Sequence, residues 1–124
     1  MTAKEKPRLL LVDDEEDLRT VLGQELSAAG YEVVTAPDGV EAIRILQTEK
    51  FDVALLDIQM PNKDGIAVLK HLSENHPSTI AIILTGHADL YHAMEAKKYG
   101  AREFISKPFQ IDEVTSTLQR LLQK

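Results

Sequence analysis

The amino-acid sequence predicts an α/β fold: a doubly wound, five-stranded parallel sheet covered by five helices. Three observations predict it. Five short apolar runs recur along the 124 residues. Each is followed by a stretch with apolar residues at helical spacing. Three of the runs, in Leu9–Val12, Val53–Leu56 and Ile80–Leu84, are continuous rather than alternating, as in strands buried on both faces. Right-handed crossovers between such strands place helices on both sides of the sheet.

The elements follow in order. Arg8–Val12 (RLLLV) is the first run, and acids follow it at once. From Glu16 to Ala29, Leu18, Val21, Leu22, Leu26 and Ala29 stand at helical spacing, and Gly30 ends the helix. Glu32–Ala36 (EVVTA) is short and β-branched. Pro37-Asp38-Gly39 signals a turn, and a helix carrying Ile43 and Leu46 runs on to about Thr48. Val53–Leu56 (VALL) is the third run, closed by Asp57. Met60–Gly65 (MPNKDG) is a loop, and the helix from Gly65 to Asn75 carries Ile66, Leu69 and Leu72 on one face. Ile80–Leu84 (IAIIL) is the fourth strand, ending at Thr85. Ala88 to Tyr99 is helical but weakly amphipathic, and Gly100 stops it. Glu103–Ser106 (EFIS) is the fifth strand, followed by Lys107-Pro108. Ile111 to Leu122 is the last helix, with Val114, Leu118, Leu121 and Leu122 inward. One domain is expected over 1–124, with its core from about 8 to 122, since the length is that of a single domain.

Composition removes several function classes. A hydrophobic fraction of 44% suffices for a core. There is no Cys, which excludes disulfides, thiolate catalysis and Cys-based zinc or iron–sulfur sites. No apolar run approaches the roughly 20 residues of a membrane helix. The N-terminus is charged and lacks a signal-peptide apolar region, so a soluble, cytoplasmic protein is expected. Net charge is −6, from 14 basic and 20 acidic residues. That disfavours direct nucleic-acid binding and suits a cation or a basic partner surface. His71, His76, His87 and His92 show no metal-type spacing.

In open α/β sheets the reactive groups gather at the carboxyl ends of the strands. Asp13 and Asp14 follow strand one, Asp57 closes strand three, Thr85 follows strand four and Lys107 follows strand five. The flavodoxin-like order 2-1-3-4-5 makes this set compact. Strands one and three would be neighbours about 4.8 Å apart. Asp14 and Asp57 could then share one cation, with magnesium–oxygen bonds of about 2.1 Å. Thr85 would flank Asp57 from strand four, and only a side chain as long as Lys107 could reach back from strand five. Two carboxylates about 4 Å apart repel by about 4 kcal/mol at an effective dielectric of about 20. A divalent hard cation relieves this, and oxygen-only ligands favour magnesium or calcium. A carboxylate such as Asp57 can attack phosphorus to give an aspartyl phosphate. The metal and Lys107 would stabilise charge on the transferring group. The Thr85 hydroxyl could donate to a phosphoryl oxygen, which the small Gly86 leaves reachable and to which it adds an N–H.

Four pieces stand in order, each at a strand end: LLVDDEEDLR, DVALLDIQMPNKDG, IILTGHAD and GAREFISKPF. In them the chain resembles the receiver domain of two-component response regulators, of the chemotaxis-regulator type, from about Arg8 to Leu122. The resemblance implies that Asp57 is the phosphoacceptor. Asp14 would be a direct Mg2+ ligand, Asp13 an acid holding metal-bound water, and the backbone carbonyl of Gln59 a further ligand. Thr85 and Lys107 would contact the phosphoryl group. Phe104 would be the switch aromatic, here without the hydroxyl of a Tyr, and Lys107-Pro108 the family's cis peptide. A histidine kinase or phosphotransfer protein would supply the phosphoryl group. Thr85 would then move inward and Phe104 follow, changing the face of helix four, strand five and helix five toward a downstream protein or an output domain. A phosphorylation-dependent homodimer fits the same scheme. Gln59 and His87 occupy the positions, two after Asp57 and two after Thr85, that vary in the family and tune phosphoryl lifetime. LTGHAD looks like receivers attached to enhancer-dependent transcription activators. The chain stops after its last helix, so it reads either as a stand-alone regulator or as part of a longer one.

Other readings are weaker. A phosphatase of haloacid-dehalogenase type needs an acid two residues after the nucleophile, where Gln59 stands. A flavin or nucleotide binder wants a Gly- or Ser/Thr-rich loop after strand one, where DDEED would repel phosphate. A phosphorylation-independent scaffold would not need the complete set of site residues. Glu15, Glu16 and Asp17 read as solvated acids that suit a helix dipole. Tyr91, Glu95 and Lys98 form a mixed face that permits a partner surface.

Overall fold

Leu9, Leu10, Leu11 and Val12 have no exposed surface, as a central strand covered by helices on both faces requires. In the computed structural model, residues 6–58, 64–86 and 90–122 are described. The strands are β1 (Arg8–Val12), β2 (Glu32–Ala36), β3 (Val53–Asp57), β4 (Ile80–Thr85) and β5 (Glu103–Ser106). The helices are α1 (Glu16–Ala28), α2 (Gly39–Leu46), α3 (Asp64–Asn75), α4 (Leu90–Lys98) and α5 (Ile111–Leu122). The sheet order is β2-β1-β3-β4-β5, with every neighbouring pair parallel. This is the flavodoxin-like architecture expected from the apolar runs, and each strand lies within one residue of its expected bounds.

Side-chain alternation along the strands divides the interior. Leu10, Val12, Ala54, Leu56 and Ile83 pack with Ala42, Ile45, Ile66, Leu69, Leu72 and Ala96 of α2, α3 and α4. Leu9, Leu11, Val53, Leu55, Ile82, Leu84 and Ile105 pack with Leu22, Leu26, Val114 and Leu118 of α1 and α5. Each fully buried leucine contributes about 1.5–3 kcal/mol by removal from water. Asp38 caps α2 by accepting the Glu41 N–H at 2.8 Å. Gly30 and Gly100, with φ of 107° and 95°, follow α1 and α4 in the left-handed conformation that terminates helices.

The inward face of α1 is narrower than its spacing suggests. Leu22 and Leu26 are buried, but Val21 is 56% exposed, Ala29 is exposed and Leu18 is half-buried. Leu18, Leu22 and Leu26 form an i, i+4 line down onto the sheet, and Val21 falls on its flank. Leu121 and Leu122 likewise pack only partly against the α1/α5 layer. Among the described residues no helix is long and apolar enough to cross a membrane.

Candidate functional site

The parallel register brings the site together. Val12 lies opposite Leu56, so the next residues, Asp13 and Asp57, stand side by side at the carboxyl edge. Asp57 lies opposite Leu84, and Thr85 opposite Ser106, which puts Lys107 one step beyond the end of β5. Hydrogen bonding continues past the strand ends, since the Lys107 N–H donates to the Thr85 carbonyl at 2.7 Å and the Asp13 N–H to the Ala36 carbonyl at 3.2 Å. The Lys107–Pro108 peptide is cis. Arg19 Nη1 donates to the Asp13 carbonyl at 2.8 Å and ties the turn into α1.

Among the described residues, Asp13 and Asp57 are the buried charged side chains, with 0% and 2% exposure. Lys107 Nζ lies 3.0 Å from Asp57 Oδ2 and 3.3 Å from Asp13 Oδ2. Burial pulls the Lys107 ammonium toward neutrality, but pairing with Asp57 and Asp13 outweighs it and holds the lysine above its ordinary pKa. Burial pushes the Asp13 carboxyl up, and the Asp57 charge adds to this, against the Glu15 N–H and Lys107. Both groups follow from one circumstance: acidic side chains face each other out of water with a single ammonium between them.

Asp13, Asp14 and Asp57 each offer a carboxylate oxygen within 4.8 Å of the other two. The donors are all anionic oxygens, which suits a hard divalent cation. Bonds of about 2.1 Å would not span the widest gaps directly, and magnesium habitually keeps waters that do. Asp14 is exposed, on the solvent side of this cluster.

Thr85 is buried, and its hydroxyl donates to the Gly86 carbonyl at 3.3 Å rather than to Asp57. Gly86 is half-buried. Phe104 is half-buried and packs against the layer formed by α2, α3 and α4. It also borders an open groove between β5 and α5, with Glu103, Ser106, Ser116 and Arg120. Gln59 and His87 lie outside the described residues, as does the side chain of Tyr91.

Two residues at this edge were not expected in the site. Glu15, read as a solvated acid, places Oε1 3.5 Å from Lys107 Nζ. Its N–H donates to Asp13 Oδ1 at 2.8 Å, which turns the chain into α1 and sets Glu15 over the lysine. Gly65 was expected only as the start of a helix. A Cβ there would sit 2.6 Å from the Asp57 carbonyl oxygen and 2.8 Å from Ile58 Cα. The start of α3 therefore presses directly on the backbone beside Asp57. The available signal was a glycine in the first turn of a helix, a weak helix former that needs another reason to be there.

Comparison with known proteins gives a consistent pattern. The family model for the response regulator receiver domain matches residues 9–119. The DNA-binding transcriptional regulator NtrC of Escherichia coli (strain K12) is 39% identical over 112 residues, 90% of this chain and 24% of that protein. The alkaline phosphatase synthesis transcriptional regulatory protein PhoP of Bacillus subtilis (strain 168) is 35% identical over 117 residues, 94% of this chain and 49% of that protein. The chain thus spans from about a quarter to about half of these relatives. Among solved structures, a CheY-like receiver domain protein from Methanospirillum hungatei JF-1 superposes with a TM-score of 0.89 at 29% identity, covering 96% of this chain and 94% of that one. The response regulator protein TrrA of Thermotoga maritima, in complex with Mg2+-BeF, superposes with a TM-score of 0.82 at 33% identity, covering 94% and 99%.

Proposed function

This chain belongs to the response regulator receiver-domain family, and on that premise we propose that Asp57 accepts a phosphoryl group from a histidine kinase or phosphotransfer protein. Receiver domains of two-component response regulators are signalling switches, either alone or within larger regulators. We read residues 1–124 as one such domain, acting in the cytoplasm. It catalyses only its own phosphorylation and dephosphorylation.

The observation that carries this reading is the Lys107 ammonium held 3.0 Å from the buried Asp57 carboxylate. In transfer, an Asp57 carboxylate oxygen forms a bond to phosphorus as the phosphorus–nitrogen bond of the donor histidine breaks. The imidazole leaves with the electron pair. Lys107 donates to the arriving phosphoryl oxygens and offsets their charge. Thr85 exchanges the Gly86 carbonyl for a phosphoryl oxygen, and the Gly86 N–H is a second donor. Asp13, Asp14, Asp57 and the Gln59 carbonyl would hold Mg2+, which supplies charge neutralisation on the phosphoryl group. The acidic cluster supports this, as does the TrrA structure determined with Mg2+-BeF.

Inward movement of Thr85 makes room for Phe104, a half-buried residue at the edge of the β5/α5 groove. The face built from α4, β5 and α5 would then present a different surface to a downstream protein or output domain, or to a second copy. The chain's net charge of −6 disfavours direct contact of this domain with nucleic acid. Gln59 and His87 would tune phosphoryl lifetime.

The test is intact-mass spectrometry after incubation with acetyl phosphate, with and without Mg2+, on the wild type and Asp57→Asn. Gain of one phosphoryl group that needs both Mg2+ and Asp57 is the expected result. No gain from small donors, or from any histidine kinase offered, overturns the reading.

A further inference from the structure

We propose that Glu15 is a positioning residue for this chemistry, holding Lys107 in competition with the phosphoryl group. The inference rests on the reading of Asp57 as phosphoacceptor. An ammonium has three N–H donors. Lys107 Nζ lies 3.0, 3.3 and 3.5 Å from Asp57, Asp13 and Glu15, one carboxylate for each donor. A phosphoryl oxygen arriving on Asp57 must therefore take a donor from a partner that already has one.

The three partners are not equal. Asp57 receives the phosphoryl group itself. Asp13 is wholly buried, and its other oxygen is fixed by the Glu15 N–H at 2.8 Å. Glu15 makes the longest of the three contacts, and its side chain is 66% exposed, so water can replace the lysine there. Glu15 is thus the partner that yields. Its backbone is nevertheless held in place. It is the N-cap of α1, and its side chain makes no capping bond, so the carboxylate is free to reach Lys107. Until it yields, Glu15 draws the ammonium toward solvent and adds negative charge beside the lysine that an anionic donor must reach. Both effects oppose phosphoryl uptake. Glu16, the next residue, is also exposed and anionic but makes no ion pair with Lys107. It is a control for charge without contact.

The experiment compares wild type, Glu15→Gln and Glu16→Gln, full chain, at saturating Mg2+ with acetyl phosphate. Glu15→Gln is expected to take up phosphoryl roughly two- to fivefold faster, the span of an exposed ion pair converted to a rate ratio. Glu16→Gln should match wild type. In a second readout, without metal in EDTA, the Lys107 13Cε NMR resonance should move in Glu15→Gln and stay in place in Glu16→Gln. Equal rates in all three proteins, a slower Glu15→Gln, or the same acceleration in Glu16→Gln would each overturn the proposal while leaving Asp57 phosphorylation standing. Absence of uptake in the wild type, from acetyl phosphate and from every histidine kinase offered, would instead remove the phosphoacceptor reading, and with it this proposal. The metal-free resonance would still report whether Glu15 holds the lysine.

Discussion

At its amino end β1 carries Arg8, with Nε 3.2 Å from Glu32 and Nη2 2.6 Å from Glu49. Its Nη1 donates to the Lys50 carbonyl at 2.9 Å, its backbone N–H donates to Asp52, and its guanidinium lies over the Phe51 ring. At its carboxyl end the same strand leads into Asp13, facing Asp57 and Lys107. Both ends gather several acids around one cation. They differ in burial and in geometry. Glu32 and Glu49 are 56% and 40% exposed and stand on separate arms of a planar fork, screened from one another by water. Asp13 and Asp57 face each other out of water and share a point charge. The first arrangement is a clip that joins β1 to β2 and to the segment before β3. The second stores unrelieved negative charge, a donor set that suits a hard divalent cation. The count of ion pairs does not separate structure from function here; exposure does.

The largest expected effect breaks the carboxyl-end cluster. Lys107→Met leaves two buried acids without their ammonium, and should lower unfolding stability by about 3 kcal/mol in EDTA, measured by urea titration. Next is Gly65→Ala. A methyl 2.6 Å from the Asp57 carbonyl oxygen should cost about 1–3 kcal/mol and displace Asp57 enough to abolish phosphoryl uptake, measured by urea titration and intact mass. Asp13→Asn acts in the opposite direction. The Asp13 carboxyl titrates above its ordinary 3.8 in the folded protein. The folded state therefore binds the proton more tightly than the unfolded state, and stability falls as pH rises from about 4 through the folded pKa. In EDTA, Asp13→Asn should be more stable than wild type at neutral pH, because it removes a buried charge that the fold disfavours. That advantage should disappear below pH of about 4, and parallel melts at the two pH values decide it. The smallest effect is at the other end of the strand. Arg8→Gln should cost less than about 1 kcal/mol, shrink further in high salt, and leave phosphoryl uptake unchanged.

Three strands were legible because strands buried on both faces carry continuous apolar runs, so LLLV, VALL and IAIIL need no periodicity to be seen. Asp57, Asp13 and Lys107 were legible because chemistry placed directly after such runs must converge once the strand order is known. Glu15 was not, since nothing in DDEED distinguishes an acid under a lysine from an acid in water. Its partner is 92 residues away. Val21 misled because helical spacing marks a wide stripe, while the sheet covers only the line through Leu22 and Leu26. The Arg8 clip left no signal either, because its acids lie 24 to 44 residues away.

The bond from the Lys107 N–H to the Thr85 carbonyl, 2.7 Å long, fixes the root of the lysine side chain to the strand beside Asp57. An ammonium on an arm roughly 6 Å long, pinned at one end, explores a volume equivalent to a concentration on the order of 1 M. Free ammonium ions would have to reach that level in the surrounding water to stand by Asp57 as often. The counter-charge is therefore delivered by tethering rather than by affinity, and dilution cannot take it away.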